Sequence, residues 1–285
     1  MNDGSIKTGG AQTSGAEITG AEITGTGAAL VTGATGGIGR EFVRVLCSEQ
    51  VEEIWAVART AQKLEELKAE FGEKIVPIPL DLSTPEALTE LARMLRERQP
   101  EIRYLVNNAG VGERLSPSVE YTPEQAAGLI AVNCTAVASI CALCVPFMAK
   151  GSRIINLASQ SAFQPVPYLN LYASSKAFVR SYTRALNVEL RNSGITATAV
   201  CPGWVDTEML EREVNGTRID YPGIVRPDVV VQRALADAKR GRDMSVCSAY
   251  VKYLHVLAKL FPQRTVMKTW MRQIQKYLQV RDNQS

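Results

Sequence analysis

There is one histidine in 285 residues, His255, and that scarcity excludes more than it suggests. A Ser-His-Asp hydrolase would need it as base, yet it lies in YVKYLHVLAKLF, whose apolar spacing makes it part of a helical stripe. With one histidine and no clustered cysteines, zinc has no ligand set, and no metal is expected. No run of about 18 consecutive apolar residues occurs, so no segment is expected to span a membrane. The opening MNDGSIKTGG lacks the basic and apolar regions of a secretory signal, which leads to the expectation of a cytoplasmic protein. The six cysteines (Cys47, Cys134, Cys141, Cys144, Cys201, Cys247) sit in apolar contexts and read as reduced, buried small hydrophobes. Cys141 and Cys144 do form a C-x-x-C, but inside the apolar run ASICALCVPF and without a second ligand pair.

What is present is an ordinary globular composition, 46% hydrophobic and 21% charged, enough for one substantial core. Residues 1–27 are rich in Gly, Thr, Ser and Ala, repeat GAEIT in tandem, and read as a flexible tail. From Ala28 onward, short apolar runs alternate with helical periods: AALVTG, REFVRVLCSE, EIWAVA, KLEELKAEF, KIVPIPL, PEALTELARMLRER, RYLVNNAG. That alternation predicts an α/β domain over 28–243, a doubly wound parallel sheet of about seven strands with helices on both faces. Ligands of such a sheet bind beyond the carboxyl ends of its strands. Residues 244–285 add a last strand near MSVCS and a helical extension. Positions 244–281 carry seven basic side chains and no acid, against a whole-chain net charge of +3. The two basic amphipathic segments suit peripheral contact with an anionic membrane or a partner, or packing of their apolar face on the domain with the lysines solvated.

VTGATGGIGREF follows the first strand and opens a helix. Gly33, Gly36, Gly37 and Gly39 lack β-carbons, which permits a tight turn and lets a phosphate approach the amides of a helix amino terminus.

This TGATGGIG turn resembles that of the short-chain dehydrogenases/reductases, and further matches follow in that family's order. They are Asp81, Asn107-Asn108-Ala109-Gly110, Asn133, Ser159, Tyr172-Ala-Ser-Ser-Lys176 and the segment Pro202-Gly203-Trp204-Val205-Asp206-Thr207. The resemblance spans about 28–240 and implies interconversion of a secondary alcohol and a ketone with a nicotinamide cofactor. By it, Tyr172 is the acid/base, Ser159, thirteen residues upstream, bonds the substrate oxygen, and Asn133 holds a water that relays protons to Lys176. Tyr172 and Lys176, four apart in a helix, share a face, and the ammonium favours the phenolate. The dinucleotide is expected on Gly33, Thr35, Gly36, Gly37, Ile38 and Gly39, with Asp81 and Leu82 at the adenine and Asn108, Ala109 and Gly110 at its ribose. Tyr172, Lys176, Val205 and Thr207 complete that set.

Arg59 ends the second strand, in IWAVART, where NAD users place an acid for the ribose hydroxyls. A guanidinium there suits a 2′-phosphate, so NADP(H) is favoured over NAD(H). Pocket walls are expected from 111–120, 160–171 and 204–222, with Phe163, Tyr168, Trp204 and Met209 among the substrate residues. That lining fits a small hydrophobic hydroxyl or ketone compound, such as a hydroxysteroid or bile acid, with a 3-oxoacyl compound next. A catalytically idle NADP(H) sensor acting through a partner is the alternative. Surplus apolar residues on the helices near 122–149 and 170–193 lead to the expectation of a homodimer or homotetramer, and no nucleic-acid partner is expected.

Overall fold

The computed structural model of the protein describes residues 27–112, 114–214 and 217–282. The tail expected over 1–27 lies outside the described residues except for Gly27, which opens the first strand. In chain order the strands are β1 (Gly27–Thr32), β2 (Val51–Ala58), β3 (Ile75–Pro79), β4 (Ile102–Asn107), β5 (Arg153–Leu157) and β6 (Thr196–Val200). A short antiparallel pair follows, β7 (Glu213–Val214) and β8 (Thr217–Arg218), and then β9 (Met244–Ser245). All but β7 and β8 join one parallel sheet of seven strands, ordered β3-β2-β1-β4-β5-β6-β9.

The helices are α1 (Gly37–Leu46), α2 (Ala61–Phe71), α3 (Pro85–Arg98), α4 (Pro123–Ile130), α5 (Val137–Cys144), α6 (Asn170–Glu189), α7 (Pro227–Lys239), α8 (Ala249–Leu260) and α9 (Gln263–Asp282). One apolar cluster joins α1, α2 and α7 to the sheet through residues such as Phe42, Leu64 and Val231. A second joins α3, α5 and α6 to it through Leu91, Ile140 and Leu186. Because helices cover both faces, every residue of β1 is buried, which is why its sequence is continuously apolar rather than alternating. Starts of helices are also local: Thr84 caps α3 ahead of Pro85, and Thr122 with Gln125 forms a capping box ahead of Pro123 at α4.

Between α4 and α5 the chain makes a π turn, Ala131–Ala136, and the whole rod Pro123–Phe147 is long and apolar enough to cross a membrane. Scanning for unbroken apolar runs passes over it because Asn133, Thr135 and Ser139 interrupt the run. In the fold 44% of its most apolar window is buried, and Ile140, Cys141 and Cys144 belong to the core. Burial there pushes the Cys141 thiol up to about 12 and raises Cys144 further, so this pair is inert packing.

Strand order reverses at β1, which lies between β2 and β4, and Thr32 stands opposite Asn107 at the carboxyl end of that pair. The turns that leave β1 and β4 in opposite directions open the crevice in which such sheets bind ligands.

Candidate active site

The β1 turn leads straight into α1, whose first turn has no acid and whose N-cap, Gly36, offers no side chain to the free amides. Gly33 has φ +63°, and a β-carbon on it would lie 2.9 Å from the Ala109 Cα. One on Gly39 would lie 2.1 Å from the Gly33 carbonyl oxygen. Both sites therefore require glycine, while Gly36, whose nearest neighbour would be 3.7 Å away, is bare toward open space. This cradle of amides at a helix amino terminus fits the pyrophosphate of a dinucleotide. Thr35 and Ile38 flank it half-buried, and the Thr207 side chain packs directly on Gly37. Val205, buried, is held by a parallel bridge to Val225.

Asn108 and Ala109 are fixed by a residue the sequence reading missed. The Thr32 hydroxyl accepts the amides of Asn108 at 3.1 Å and Ala109 at 3.0 Å. In return Asn108 Nδ2 donates to the carbonyl oxygens of Thr32 at 3.2 Å and Gly33 at 3.0 Å. Only the β1–β4 register reveals that pairing. Gly110 follows, close enough that a β-carbon would lie 3.3 Å from Lys176 Nζ.

At the end of β2, Arg59 is exposed and, among the described residues, makes no salt bridge; Glu66 instead accepts from Gln62 at 3.1 Å. Asp81, after β3, is held below the usual carboxylate range by the backbone and hydroxyl of Ser83, with a smaller contribution from the Arg59 charge. Leu82 beside it is buried.

The four residues expected to do chemistry come together. Ser159, just past β5, hydrogen-bonds the Tyr172 phenol, and its Oγ also accepts the Ser161 amide at 3.2 Å. Lys176 is buried and donates from Nζ to the Leu157 carbonyl oxygen at 2.8 Å. Burial pushes its ammonium down to about 8. For Tyr172 burial is again the largest influence and raises the phenol, with the Ser159 bond opposing it, so in the protein alone the phenol lies above its ordinary value rather than below it as expected.

Asn133, fully buried, sits in the π turn rather than in a regular helix. Its Oδ1 accepts the Val111 amide at 2.8 Å, and its Nδ2 donates to the Val111 carbonyl at 3.0 Å and the Ser175 hydroxyl at 3.1 Å. Ser175 in turn donates to the Tyr172 carbonyl at 2.7 Å. Ser175, adjacent to Lys176, thus ties the π turn to the helix bearing Tyr172, a link invisible to helical spacing.

Tyr172 faces a cavity of about 1700 Å³. Phe163, Trp204 and Met209 line it; Tyr168, whose backbone is left-handed at φ +65° and whose carbonyl accepts the Ser116 amide at 3.0 Å, is not in the lining. The expected segments supply one side. The other side comes from α8, α9 and the turn between them, including Leu254, Leu257, Phe261, Trp270 and Ile274. The apolar face of the basic extension therefore packs over the domain, and its lysines and arginines at 252, 259, 264, 268 and 272 are exposed.

A family model for short chain dehydrogenases matches residues 27–217. The chain is a short-chain dehydrogenase. This dehydrogenase is 33% identical over 221 residues to an uncharacterized short-chain type dehydrogenase/reductase of Sinorhizobium fredii, an alignment covering 74% of this chain but only 40% of that longer protein. It is 29% identical over 262 residues to the 17-beta-hydroxysteroid dehydrogenase type 3 of Rattus norvegicus, covering 88% of this chain and 83% of that one. Among solved structures, a short-chain dehydrogenase from Sphingobium yanoikuyae in complex with NADPH superposes with a TM-score of 0.68 at 26% identity, over 85% of this chain and 95% of that one. The dehydrogenase is thus an oxidoreductase of a nicotinamide-using family, built on a Rossmann-like sheet.

Proposed function

We propose that this dehydrogenase interconverts a secondary alcohol and a ketone on a large hydrophobic substrate, using NADP(H). The observation that carries the reading is Tyr172 on the wall of an apolar cavity of about 1700 Å³, bonded to Ser159 and with buried Lys176 one helical turn away. A steroid or bile acid is readily accommodated in such a space, as is a long 3-oxoacyl chain. Arg59, exposed and free of a salt bridge among the described residues, supports the preference for a 2′-phosphate.

In the reducing direction, the Ser159 hydroxyl orients the carbonyl oxygen and Tyr172 supplies the proton as charge develops there. The bound nicotinamide supplies the hydride. Lys176 keeps a positive charge behind the phenol, favouring its ionised form after transfer. Asn133 fixes Val111, the residue after Gly110, by two hydrogen bonds and so keeps the β4 loop in place as the proton leaves.

A panel of steroids, bile acids and 3-oxoacyl thioesters, followed by absorbance of the reduced nicotinamide, tests the reading. Turnover of a member of one of these classes, faster with NADPH than NADH, is expected. Tight dinucleotide binding with no turnover across the panel would overturn it in favour of a sensing role.

Two features support association. Of the surplus apolar residues, Ala136, Ile140 and Leu186 are consumed by the core, but Phe178 and Val188 on α6 are 42% and 61% exposed. A second copy of the chain would cover them, giving a homodimer or homotetramer, which light scattering at micromolar concentration decides. On α8, Tyr253, Val256 and Leu260 face outward beside Lys252 and Lys259, a surface suited to an anionic bilayer. Flotation with phosphatidylserine vesicles, lost in high salt, is the expected result.

A further inference from the structure

α9 is joined by a directed bond to the loop that leads into the catalytic helix. The indole Nε1 of Trp270 donates to the Pro167 carbonyl oxygen at 2.8 Å. The next residue, Tyr168, holds the left-handed backbone, φ +65°, that a residue with a β-carbon adopts at a cost. Its own carbonyl accepts the Ser116 amide at 3.0 Å. This turn is pinned between α9 and the β4 loop, and it stands four residues before Tyr172. Val166 and Leu169 of the same loop line the cavity, and so does Trp270 itself.

We propose that Trp270 is a specificity-determining residue: by tying α9 to the loop before α6, it makes the carboxyl-terminal helix the far wall of the substrate cavity. The enzyme then holds ketones large enough to reach that wall and gains nothing from it for compact ones. Binding energy from this remote contact goes to the part of the substrate that does not react. This inference rests on the ketone and alcohol reading above.

The test compares the native protein with Trp270→Phe, which keeps most of the ring but loses the N–H, and Trp270→Ala. For each, kcat and KM are measured on the bulkiest ketone and on the most compact ketone the native protein turns over, alongside dinucleotide Kd and Tm. Trp270→Ala is expected to raise KM for the bulky ketone by about tenfold or more, with kcat/KM for the compact one within about twofold of native and dinucleotide Kd unchanged. Trp270→Phe should move the same ratio in the same direction by a smaller factor, and it decides the matter if the alanine variant does not fold. Equal losses on both ketones would overturn the proposal, since Trp270 would then merely brace the loop, and so would no change on either. A native protein that turns over no ketone fails the underlying reading instead, before any variant is made.

Discussion

Lys176 Nζ lies 5.7 Å from the centre of the Tyr172 ring, over its face and one turn further along α6. The spacing of four residues gives both side chains one direction, and burial gives them one solvent-poor environment that disfavours the charged form of each.

Removing the Tyr172 hydroxyl takes away one proton and little volume. Tyr172→Phe is expected to lower kcat by about 10²- to 10⁴-fold while dinucleotide Kd stays near native. Near-native kcat in the variant would mean that another group carries the proton.

Lys176 should cost stability for the same reason that it serves chemistry. Its folded pKa, about 8, lies below the ordinary 10.5 because burial disfavours the ammonium. Below the folded value both states are charged and the penalty is fully present; between the two values the unfolded chain binds more protons, so the penalty fades as pH rises. Lys176→Met is expected to raise Tm at pH 7 by ~2–5 °C, even after losing the bond to Leu157. That gain should shrink toward pH 10, and a gain independent of pH would show that the buried charge is not its source.

Arg59 isolates one charge. If it grips a 2′-phosphate, Arg59→Ala should raise KM for NADPH by roughly tenfold to a hundredfold and leave NADH nearly untouched. Arg59→Asp should invert the preference. A constant ratio of kcat/KM for the two cofactors across all three proteins would remove the NADP(H) assignment and leave the rest of the site standing.

The glycine turn separates folding from binding. Gly39→Ala forces a β-carbon to 2.1 Å from the Gly33 carbonyl oxygen and should lower Tm sharply. At Gly36 the nearest atom would be 3.7 Å away, so Gly36→Ala should melt within ~2 °C of native yet weaken dinucleotide binding by filling the space above the amides. Equal Tm losses would show the whole turn to be structural.

Much of this was legible in the sequence because the signals were local. Buried strands such as β1 read as apolar runs, and the helical period of PEALTELARMLRER is where α3 forms. Tyr172, Lys176 and Ser159 were found through the resemblance to the short-chain dehydrogenases/reductases, whose order of motifs they follow. What escaped depends on contacts between distant segments. Thr32 serves Asn108 and Ala109 across a strand pair, Ser175 meets Asn133 from another helix, and α9 reaches Pro167 from 103 residues away. Tyr168 is absent from the lining although Val166 and Leu169 beside it are present, and an aromatic in a loop carries no sign of which way it turns. The π turn was hidden as well, since its composition, AVNCTA, is that of the helix around it.

The π turn at Ala131–Ala136 gives this rod a tolerance to one particular change of length. A wide turn carries one more residue than the regular helix needs, so deleting a single residue there would restore the ordinary ladder of hydrogen bonds. Because the wide turn already absorbs the rotation of about 100° that one residue brings, α5 would keep its phase relative to α4, and Ile140, Cys141 and Cys144 would stay in the core. What would be lost is the seat of Asn133, whose bonds to Val111 and Ser175 are made from that wide turn. A one-residue deletion inside α5 itself, with no wide turn to absorb it, would instead swing every later core residue by about 100°. The bulge thus trades backbone regularity for the position of one amide side chain.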